Sequence, residues 1–389
     1  MSNERYKLKC LYTSTADGAI DMEWDTIYYN RPQNMTTRST NPLPYKSPST
    51  QPDHEAMLIA SLHKALIENG VSMDQAEITN FYVALKSKPL AILAGPARSG
   101  KTALVRGLAQ SLCERVDQRI QMLTGHPWWA EGSDDVARNT ELHLRYSTEK
   151  ILSIIEEARQ PYNAHQVFVA CLTQISPAEL LSFFTEVAFQ LQNGQIMRLG
   201  DTHLTEPMPF PSNLRIIGTM DTNSFDWWDN ELLLSTTVIQ WSPPSDFPDP
   251  IFNQSVMLDE YEFLQSCVRG KDAAYRKVYP VLKHQRQPLY SLLQVEATLR
   301  KYISSLDLAV DEVMIYLANS WSRLGDGLFH PSPDRNLAIA LDMAIKQILL
   351  PRAVDAIRSR ETLRNRLLDI FADEYPRSTG FATMQAIQG

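Results

Sequence analysis

The sequence predicts an α/β protein in which a parallel sheet is followed by a second, all-helical domain. From Pro89 to Trp241, short apolar runs alternate with segments of helical periodicity. This order builds a parallel sheet that is covered by helices on both faces. After Pro243-Pro244 the chain is mainly helical to about Ala372.

The length of 389 residues suits about two to three domains. We expect an N-terminal segment over residues 1–53, an α/β domain over 54–243 and a helical domain over 244–389. Within the first segment, Ile20–Tyr29 could form a small β element. Arg31–Asp53 is rich in Pro, Thr, Ser and Asn and has few large apolar residues. Such a composition buries little apolar surface, so it predicts a linker or an extended arm.

Each further element is predicted from a local pattern. Apolar residues at helical spacing indicate helices, and short apolar runs between turn residues indicate buried strands. In chain order the predictions are helices in EAMLIASLHKALIENG and over Asp74–Lys86, a strand in PLAILAG, a helix in ALVRGLAQSLCERV, a strand in RIQMLTG, a helix over Glu141–Gln160, a strand in HQVFVACLT, a helix in PAELLSFFTEVAFQLQNG, and strands in NLRIIGTMD and TTVIQW. We expect the last residues, Thr379 to Gly389, to fray.

Composition excludes several classes of protein. Hydrophobic residues make up 44% and charged residues 21%, which is close to the globular norm and excludes a chain that is disordered throughout. No window of about 18 apolar residues predicts a membrane span, and the start, MSNERYKLKC, lacks the order of a secretory signal. Four scattered cysteines favour a reducing cytoplasm over a disulfide framework. The net charge of −8 disfavours a wholly basic nucleic-acid binder, although a local basic patch stays open.

One loop carries a phosphate-binding pattern. Residues 95–102 match G-x-x-x-x-G-K-[ST] in full, with a predicted strand before them and a helix after them. Backbone N–H groups of such a loop curl around phosphate oxygens, and the helix start adds its positive dipole end. Lys101 would neutralise the β- and γ-phosphates of a nucleotide, and the Thr102 hydroxyl would bind Mg²⁺. The candidate binding residues are Gly95, Pro96, Ala97, Arg98, Ser99, Gly100, Lys101 and Thr102. ATP and GTP both stay open, because the loop does not read the base.

The segment ITNFYVALKSKPLAILAGPARSGKTALVRGLAQSL resembles the opening of the AAA+ domains of the McrB-like family. Later segments agree with that family in order, namely RIQMLTGHPWWAEGSDD, PSNLRIIGTMDTNS, DNELLLSTTVIQW, LDLAVDEVMIYLANS and LDMAIKQILLPRA. The resemblance runs from about Ile78 to Ala353. It implies a P-loop three-layer α/β sandwich with a parallel sheet, a C-terminal all-α lid, and a nucleotide with Mg²⁺ at a boundary between subunits.

The resemblance fails at the Walker B strand. An active AAA+ ATPase ends this strand in Asp-Glu, where the Asp holds Mg²⁺ through water and the Glu polarises the attacking water. The matching strand here is Val167–Thr173, and the pair falls on Cys171-Leu172 or on Leu172-Thr173. Neither register supplies a carboxylate.

Three further positions depart from the family. The sensor 1 Asn is replaced by Asp221, the arginine finger falls on Ser235, and the sensor 2 Arg falls near Leu308. An arginine finger alone is worth about 10³–10⁵ in rate, and a general base about 10²–10⁴. The resemblance therefore implies an enzyme activity that is absent or very weak, with no catalytic residues assigned.

Other features leave alternatives open. Trp128-Trp129 and Trp227-Trp228 could contact a partner or stack on nucleic-acid bases, and packing is the simpler interpretation. The Arg-rich segment Arg352–Asp369 is predicted as one long helix, either a basic face or a solvated, ion-paired helix. Asp311-Glu312 lies in a helical pattern and does not replace the Walker B pair. His126 and His165 lack partners at metal spacing, so we expect no metal beyond Mg²⁺.

The leading functional hypothesis is a degenerate AAA+ subunit that binds ATP or GTP and has a structural or regulatory role in a cytoplasmic oligomer. The resemblance suggests bacterial, restriction-like antiviral defence, with self-association or an active AAA+ paralogue as partner. One alternative is an active NTPase motor that partner subunits complete. Another is a DNA-binding AAA+ adaptor, which the net charge does not favour. No membrane partner is expected.

Overall fold

The structure of the protein is a computed structural model. It describes residues 11–14, 20–23, 53–68, 73–113, 119–124, 150–151, 153–175, 210–221, 230–241, 258–284, 286–372 and 374–387. The chain divides into two compact units, Met1–Asn41 and Pro42–Gly389. Among the described residues, no helix is both long and apolar enough to cross a membrane. The boundaries at residues 53 and 243 stay predictions.

The first unit contains a small antiparallel pair. Strand β1 covers Leu11–Ser14 and strand β2 covers Ile20–Glu23. Leu11 pairs with Glu23, and Ser14 pairs with Ile20. The predicted β element therefore includes β2 at its start, and its remainder, residues 24–29, lies outside the described residues.

Among the described residues, the second unit contains five strands and all of the helices. The strands are β3 (Leu90–Gly95), β4 (Ile120–Thr124), β5 (Phe168–Thr173), β6 (Leu214–Asp221) and β7 (Thr236–Gln240). The helices are α1 (His54–Glu68), α2 (Gln75–Ser87), α3 (Lys101–Leu112), α4 (Asn230–Ser235), α5 (Glu260–Ser266), α6 (Lys271–His284), α7 (Arg286–Leu299), α8 (Leu306–Asn319), α9 (Pro333–Ala344), α10 (Val354–Ser359), α11 (Glu361–Phe371) and α12 (Pro376–Ile387). A π-helical turn, Ile345–Leu349, and a 3₁₀ turn, Pro351–Ala353, follow α9, and residues 153–158 are also helical.

The five strands form one parallel sheet in the order β4-β5-β6-β3-β7. β3 and β5 are buried along their whole length, as strands covered on both faces must be. Because all strands are parallel, their carboxyl ends lie at one edge of the sheet. In that register Gly95 pairs with Asp221, and Ala94 pairs with Gln240.

The strand order creates a crevice at this edge. After β3 the chain moves to β4 at the far side of the sheet, whereas after β6 it moves to β7 on the other side of β3. The connections that follow the adjacent strands β6 and β3 therefore run in opposite directions along the sheet. In open α/β sheets, ligands bind outside the carboxyl ends of such a strand pair.

Apolar side chains cover the two faces of the sheet. On one face, Leu93 of β3 belongs to the same buried cluster as Leu104 and Leu108 of α3. On the other face, Ile92 clusters with Ile154, which lies in the helical residues 153–158. This alternation assigns every second residue of a strand to the face that carries α3.

Two predictions at the C-terminal end need correction. Thr379–Gly389 were expected to fray, but α12 continues to Ile387, and Phe381 and Ala382 are buried, whereas residues 388–389 lie outside the described residues. Ser378 also anchors the helix start, because its N–H and its hydroxyl both donate to Asp342 Oδ1, at 2.9 Å and 2.7 Å. Buried contacts stabilise this end in place of the fraying that its position suggested.

The single long helix predicted over Arg352–Asp369 is also wrong. A 3₁₀ turn, α10 and α11 share this segment, and Arg360 separates the two helices with extended backbone. Arg352 is buried, and its Nη2 donates to Leu233 O and Glu312 Oε2, both at 2.7 Å. Glu312 lies within α8, as predicted, where it accepts hydrogen bonds from Lys88 and Arg352. It therefore does not replace the acid that is missing from the end of β5.

Of the predicted helix Glu141–Gln160, residues 150–151 and 153–158 are helical, and residues 141–149 lie outside the described part of the chain. The helix predicted in PAELLSFFTEVAFQLQNG and both tryptophan pairs also lie outside it. The remaining predicted strands and helices of the α/β domain are confirmed where they are described, and residues 69–70 and 114–116, at the ends of two predicted helices, lie outside the described residues.

Candidate functional site

The loop between β3 and α3 has a tightly curled backbone. Arg98 and Gly100 have φ angles of 57° and 78°, so two nearly adjacent residues are in the left-handed region. For Arg98 this conformation is uncommon, whereas glycine adopts it freely. Turns of this kind direct successive backbone N–H groups into one concavity and bind anions. The first turn of α3, which begins at Lys101, follows directly and adds unpaired N–H groups.

Gly95 is required by a close approach between β3 and β7. A Cβ built on Gly95 would lie 1.8 Å from the backbone oxygen of Trp241, so no other side chain fits without a shift of the backbone. Trp241 is fixed in this place by its own N–H, which donates to Ala94 O at 2.8 Å.

Trp241 also holds the loop from the side. Its indole Nε1–H donates to Ser99 O at 2.7 Å, and the side chain is only 1% exposed. Sequence reasoning treated Trp241 only as the end of a strand and gave it no part in the site. Its place in the sequence could have indicated this role, because Trp241 directly follows a predicted strand and so lies at the carboxyl edge of the sheet, where the loop begins.

Lys101 turns inward and is 4% exposed. Its ammonium donates to Gly95 O and to Ser99 Oγ, each at 3.1 Å, and also to Pro96 O. Asp221 Oδ1 lies 2.9 Å from the same Nζ. Burial lowers the pKa of Lys101, and the hydrogen bond and charge of Asp221 partly offset this effect.

The ammonium of Lys101 has three N–H donors, and four acceptors of the protein surround it. An anion can therefore reach Lys101 only by replacing one of them. Asp221 is the only charged acceptor of the four, and its side chain is 38% exposed. Asp221 is thus the acceptor that a phosphate would compete with directly.

Thr102 connects the start of α3 to β6. Its hydroxyl oxygen lies 3.4 Å from that of Thr219, which in turn accepts the N–H of Gln174 at 3.2 Å. Gln174 has a φ of 58°, and the next N–H, of Ile175, donates to Thr219 O at 3.0 Å. The chain that leaves β5 is therefore attached to β6 beside the loop.

The carboxyl end of β5 presents no acid. Cys171 belongs to the cluster on the α3 face, Leu172 belongs to the cluster on the opposite face, and both are buried. Burial raises the pKa of the Cys171 thiol to about 12, so the thiol is neutral. Thr173 donates from its hydroxyl to Leu123 O at 3.2 Å. A general base for water activation is absent from this strand end in either register.

The other positions singled out by the resemblance are placed as follows. Ser235 ends α4, directly before β7. Leu308 lies in the first turn of α8, and its side chain is 55% exposed. All eight loop residues are described, and the fold brings Lys101, Thr102 and Asp221 together at the strand edge.

The donor set fits a phosphate better than a metal ion alone. Curled backbone N–H groups, a helix start and an ammonium are all present in the loop. Within the described ranges no group of three or more His, Cys, Asp or Glu side chains could hold a metal ion. A divalent cation would therefore need ligand atoms from a bound phosphate in addition to Thr102.

In comparisons with known proteins, no family model matched the chain, and no curated protein matched it either.

Proposed function

We propose that the protein binds ATP or GTP, together with Mg²⁺, through Gly95–Thr102, and that it turns the nucleotide over slowly or not at all. The loop geometry carries this proposal. Arg98 and Gly100 curl the backbone between β3 and α3, at the strand edge where ligands of α/β sheets bind. Lys101 and Thr102 supply the ammonium and the hydroxyl that the phosphates and Mg²⁺ of a nucleotide need.

The weak turnover follows from the residues that surround the loop. The described end of β5 contains a neutral thiol, a leucine and a threonine where a carboxylate would activate water. The position where the family has an Asn to place the attacking water is Asp221, a negatively charged side chain paired with Lys101. Phosphoryl transfer therefore lacks both the base that activates water and the amide that positions it.

The arginine-finger position supports the same conclusion. Ser235 has no charge to donate to a neighbouring subunit. Among the described residues, two cations contact the end of α4, namely Lys88 and Arg352, and both donate to Leu233 O and to Glu312 Oε2. Because their side chains are 14% and 1% exposed, neither can extend into another subunit without breaking buried bonds.

As a degenerate AAA+ protein, the chain would act as a structural or regulatory subunit. Its parallel sheet with a following helical region is compatible with that architecture. We propose assembly either with an active AAA+ paralogue or as a homo-oligomer held by unhydrolysed nucleotide. The role in bacterial defence depends on the resemblance alone.

Thermal unfolding tests the binding step. A ligand that binds only the folded state stabilises it by about 2.7 kcal/mol at 100 times its dissociation constant. MgATP or MgGTP should therefore raise the Tm of the wild type, and Lys101→Ala should remove the rise. No rise and no binding with either nucleotide would overturn the proposal.

Mass measurement tests the assembly step. Light scattering with and without nucleotide should show a complex that is larger than one chain, either alone or with the products of neighbouring genes. A chain that stays monomeric at tens of micromolar under all these conditions would contradict this part.

A further inference from the structure

The carboxyl edge of the sheet has one acidic strand end in the described part of the chain. The five strands end in Gly95, Thr124, Thr173, Asp221 and Gln240. Asp221 is on the strand adjacent to the loop strand and pairs in register with Gly95. β5, where the family has its acidic pair, lies one strand further from the loop strand, or about 4.8 Å more in the plane of the sheet.

Asp221 also faces the correct side of the sheet. Thr219 and Asp221 are two residues apart, so both side chains lie on the same face of β6. Thr219 Oγ1 lies 3.4 Å from Thr102 Oγ1, and Asp221 Oδ1 lies 2.9 Å from Lys101 Nζ. The carboxylate therefore contacts the ammonium of Lys101, and it lies on the same face of β6 as the threonine that contacts Thr102.

This combination of groups is what a nucleotide-bound Mg²⁺ requires. Mg²⁺ prefers oxygen ligands, keeps several waters, and is held by one or two carboxylates together with phosphate oxygens. P-loop NTPases combine a Ser or Thr of the loop with a carboxylate from a neighbouring strand. Thr102 supplies the hydroxyl, and β5 supplies no carboxylate.

On the basis of the proposed nucleotide binding, we propose that Asp221 is the carboxylate ligand of the nucleotide-bound Mg²⁺, in place of the acid that β5 lacks. Its Oδ1 contacts Lys101, and its side chain is partly exposed at the strand edge. Without a cation, the same carboxylate opposes the phosphates. Its effect on nucleotide binding therefore changes sign between metal-free and Mg²⁺-containing solution.

The test uses this change of sign. Isothermal titration calorimetry gives the Kd of ATP and of GTP for the full chain in excess Mg²⁺ and in EDTA, for the wild type and for Asp221→Asn. The quantity of interest is the ratio of the two dissociation constants, because the contribution of Lys101 is common to both. Asp221→Asn should reduce the Mg²⁺ enhancement at least about tenfold, since even indirect metal partners are worth about 10–100-fold. Its metal-free affinity should be equal to that of the wild type or higher.

Two further variants sharpen the result. Asp221→Glu keeps a carboxylate and should keep part of the Mg²⁺ enhancement. Glu68→Gln removes one negative charge from the exposed end of α1 and should leave the ratio unchanged. An unchanged ratio in Asp221→Asn would overturn the inference while leaving nucleotide binding intact. Failure of the wild type to bind in either solution would instead overturn the proposed function.

Discussion

Replacement of Gly95 by alanine tests the close approach of β3 and β7 that shapes the loop. The new Cβ would lie 1.8 Å from Trp241 O, and ordinary contact begins near 3.4 Å, so the strands must separate locally by about 1.6 Å. The hydrogen bond from Trp241 N to Ala94 O, 2.8 Å long, lies in the same place and would be stretched. Overpacking costs about 1–3 kcal/mol, and a lost hydrogen bond about 0.5–1.5 kcal/mol.

We therefore expect Gly95→Ala to lower the free energy of unfolding by about 2–4 kcal/mol. The matched control is Gly380→Ala within α12, where a new Cβ meets nothing within 4 Å. The same methyl group should stabilise the protein there by about 0.5–1 kcal/mol, because alanine favours a helix over glycine.

Urea unfolding, followed by tryptophan fluorescence, measures both variants against the wild type. The expected result is a lower midpoint for Gly95→Ala and a slightly higher midpoint for Gly380→Ala. Equal midpoints for Gly95→Ala and the wild type would refute the close approach at the base of the loop.

Three other predictions concern the core and the strand edge. Glu55 is buried and accepts hydrogen bonds from Lys86 Nζ at 2.8 Å and Tyr82 Oη at 2.9 Å. Glu55→Ala should lower the free energy of unfolding by about 3–5 kcal/mol, because it leaves the buried charge of Lys86 without its acidic partner. Adding Lys86→Met should recover much of that loss in urea unfolding, and a double variant as unstable as Glu55→Ala would contradict the pairing. Burial alone would raise the pKa of Glu55, but the charge of Lys86 and the hydrogen bonds outweigh burial and hold the pKa below 4.5. The stability that this lowered pKa contributes is present above about pH 4.5 and is lost as the pH falls through the folded-state pKa. The acid unfolding curve of Glu55→Gln should therefore lack this loss of stability. Leu172→Asp combined with Thr173→Glu should not produce phosphate release, because Leu172 packs on the face opposite α3 and Ser235 still lacks charge. Phosphate release by that double variant would show that the two acids alone were missing.

The strands and the loop could be predicted because their signals are local. An apolar run followed by the G-x-x-x-x-G-K-[ST] pattern contains everything that places β3, the loop and α3 in order. The contact of Trp241 with Ser99 could not be predicted, since the two residues are 142 positions apart and meet only because β7 lies beside β3. The ion pair of Lys101 with Asp221 depends in the same way on the register of β6.

The errors have a common physical cause. The Arg-rich segment was judged by its charge pattern, which does not show that Arg352 is buried against Leu233 O and Glu312. The C-terminal residues were judged by their position in the chain, which does not show that Phe381 is buried or that Ser378 bonds to Asp342. In both places tertiary contacts outweigh a local rule.

Paired measurements of binding and phosphate release show whether the loop binds a nucleotide without turning it over. Purified wild type and Lys101→Ala are titrated with MgATP and with MgGTP by calorimetry, and phosphate release is followed in the same samples. We expect saturable binding to the wild type that Lys101→Ala abolishes, with phosphate release no higher than in that variant. Robust phosphate release by the wild type that disappears in Lys101→Ala, or no binding of either nucleotide, would contradict the proposed function.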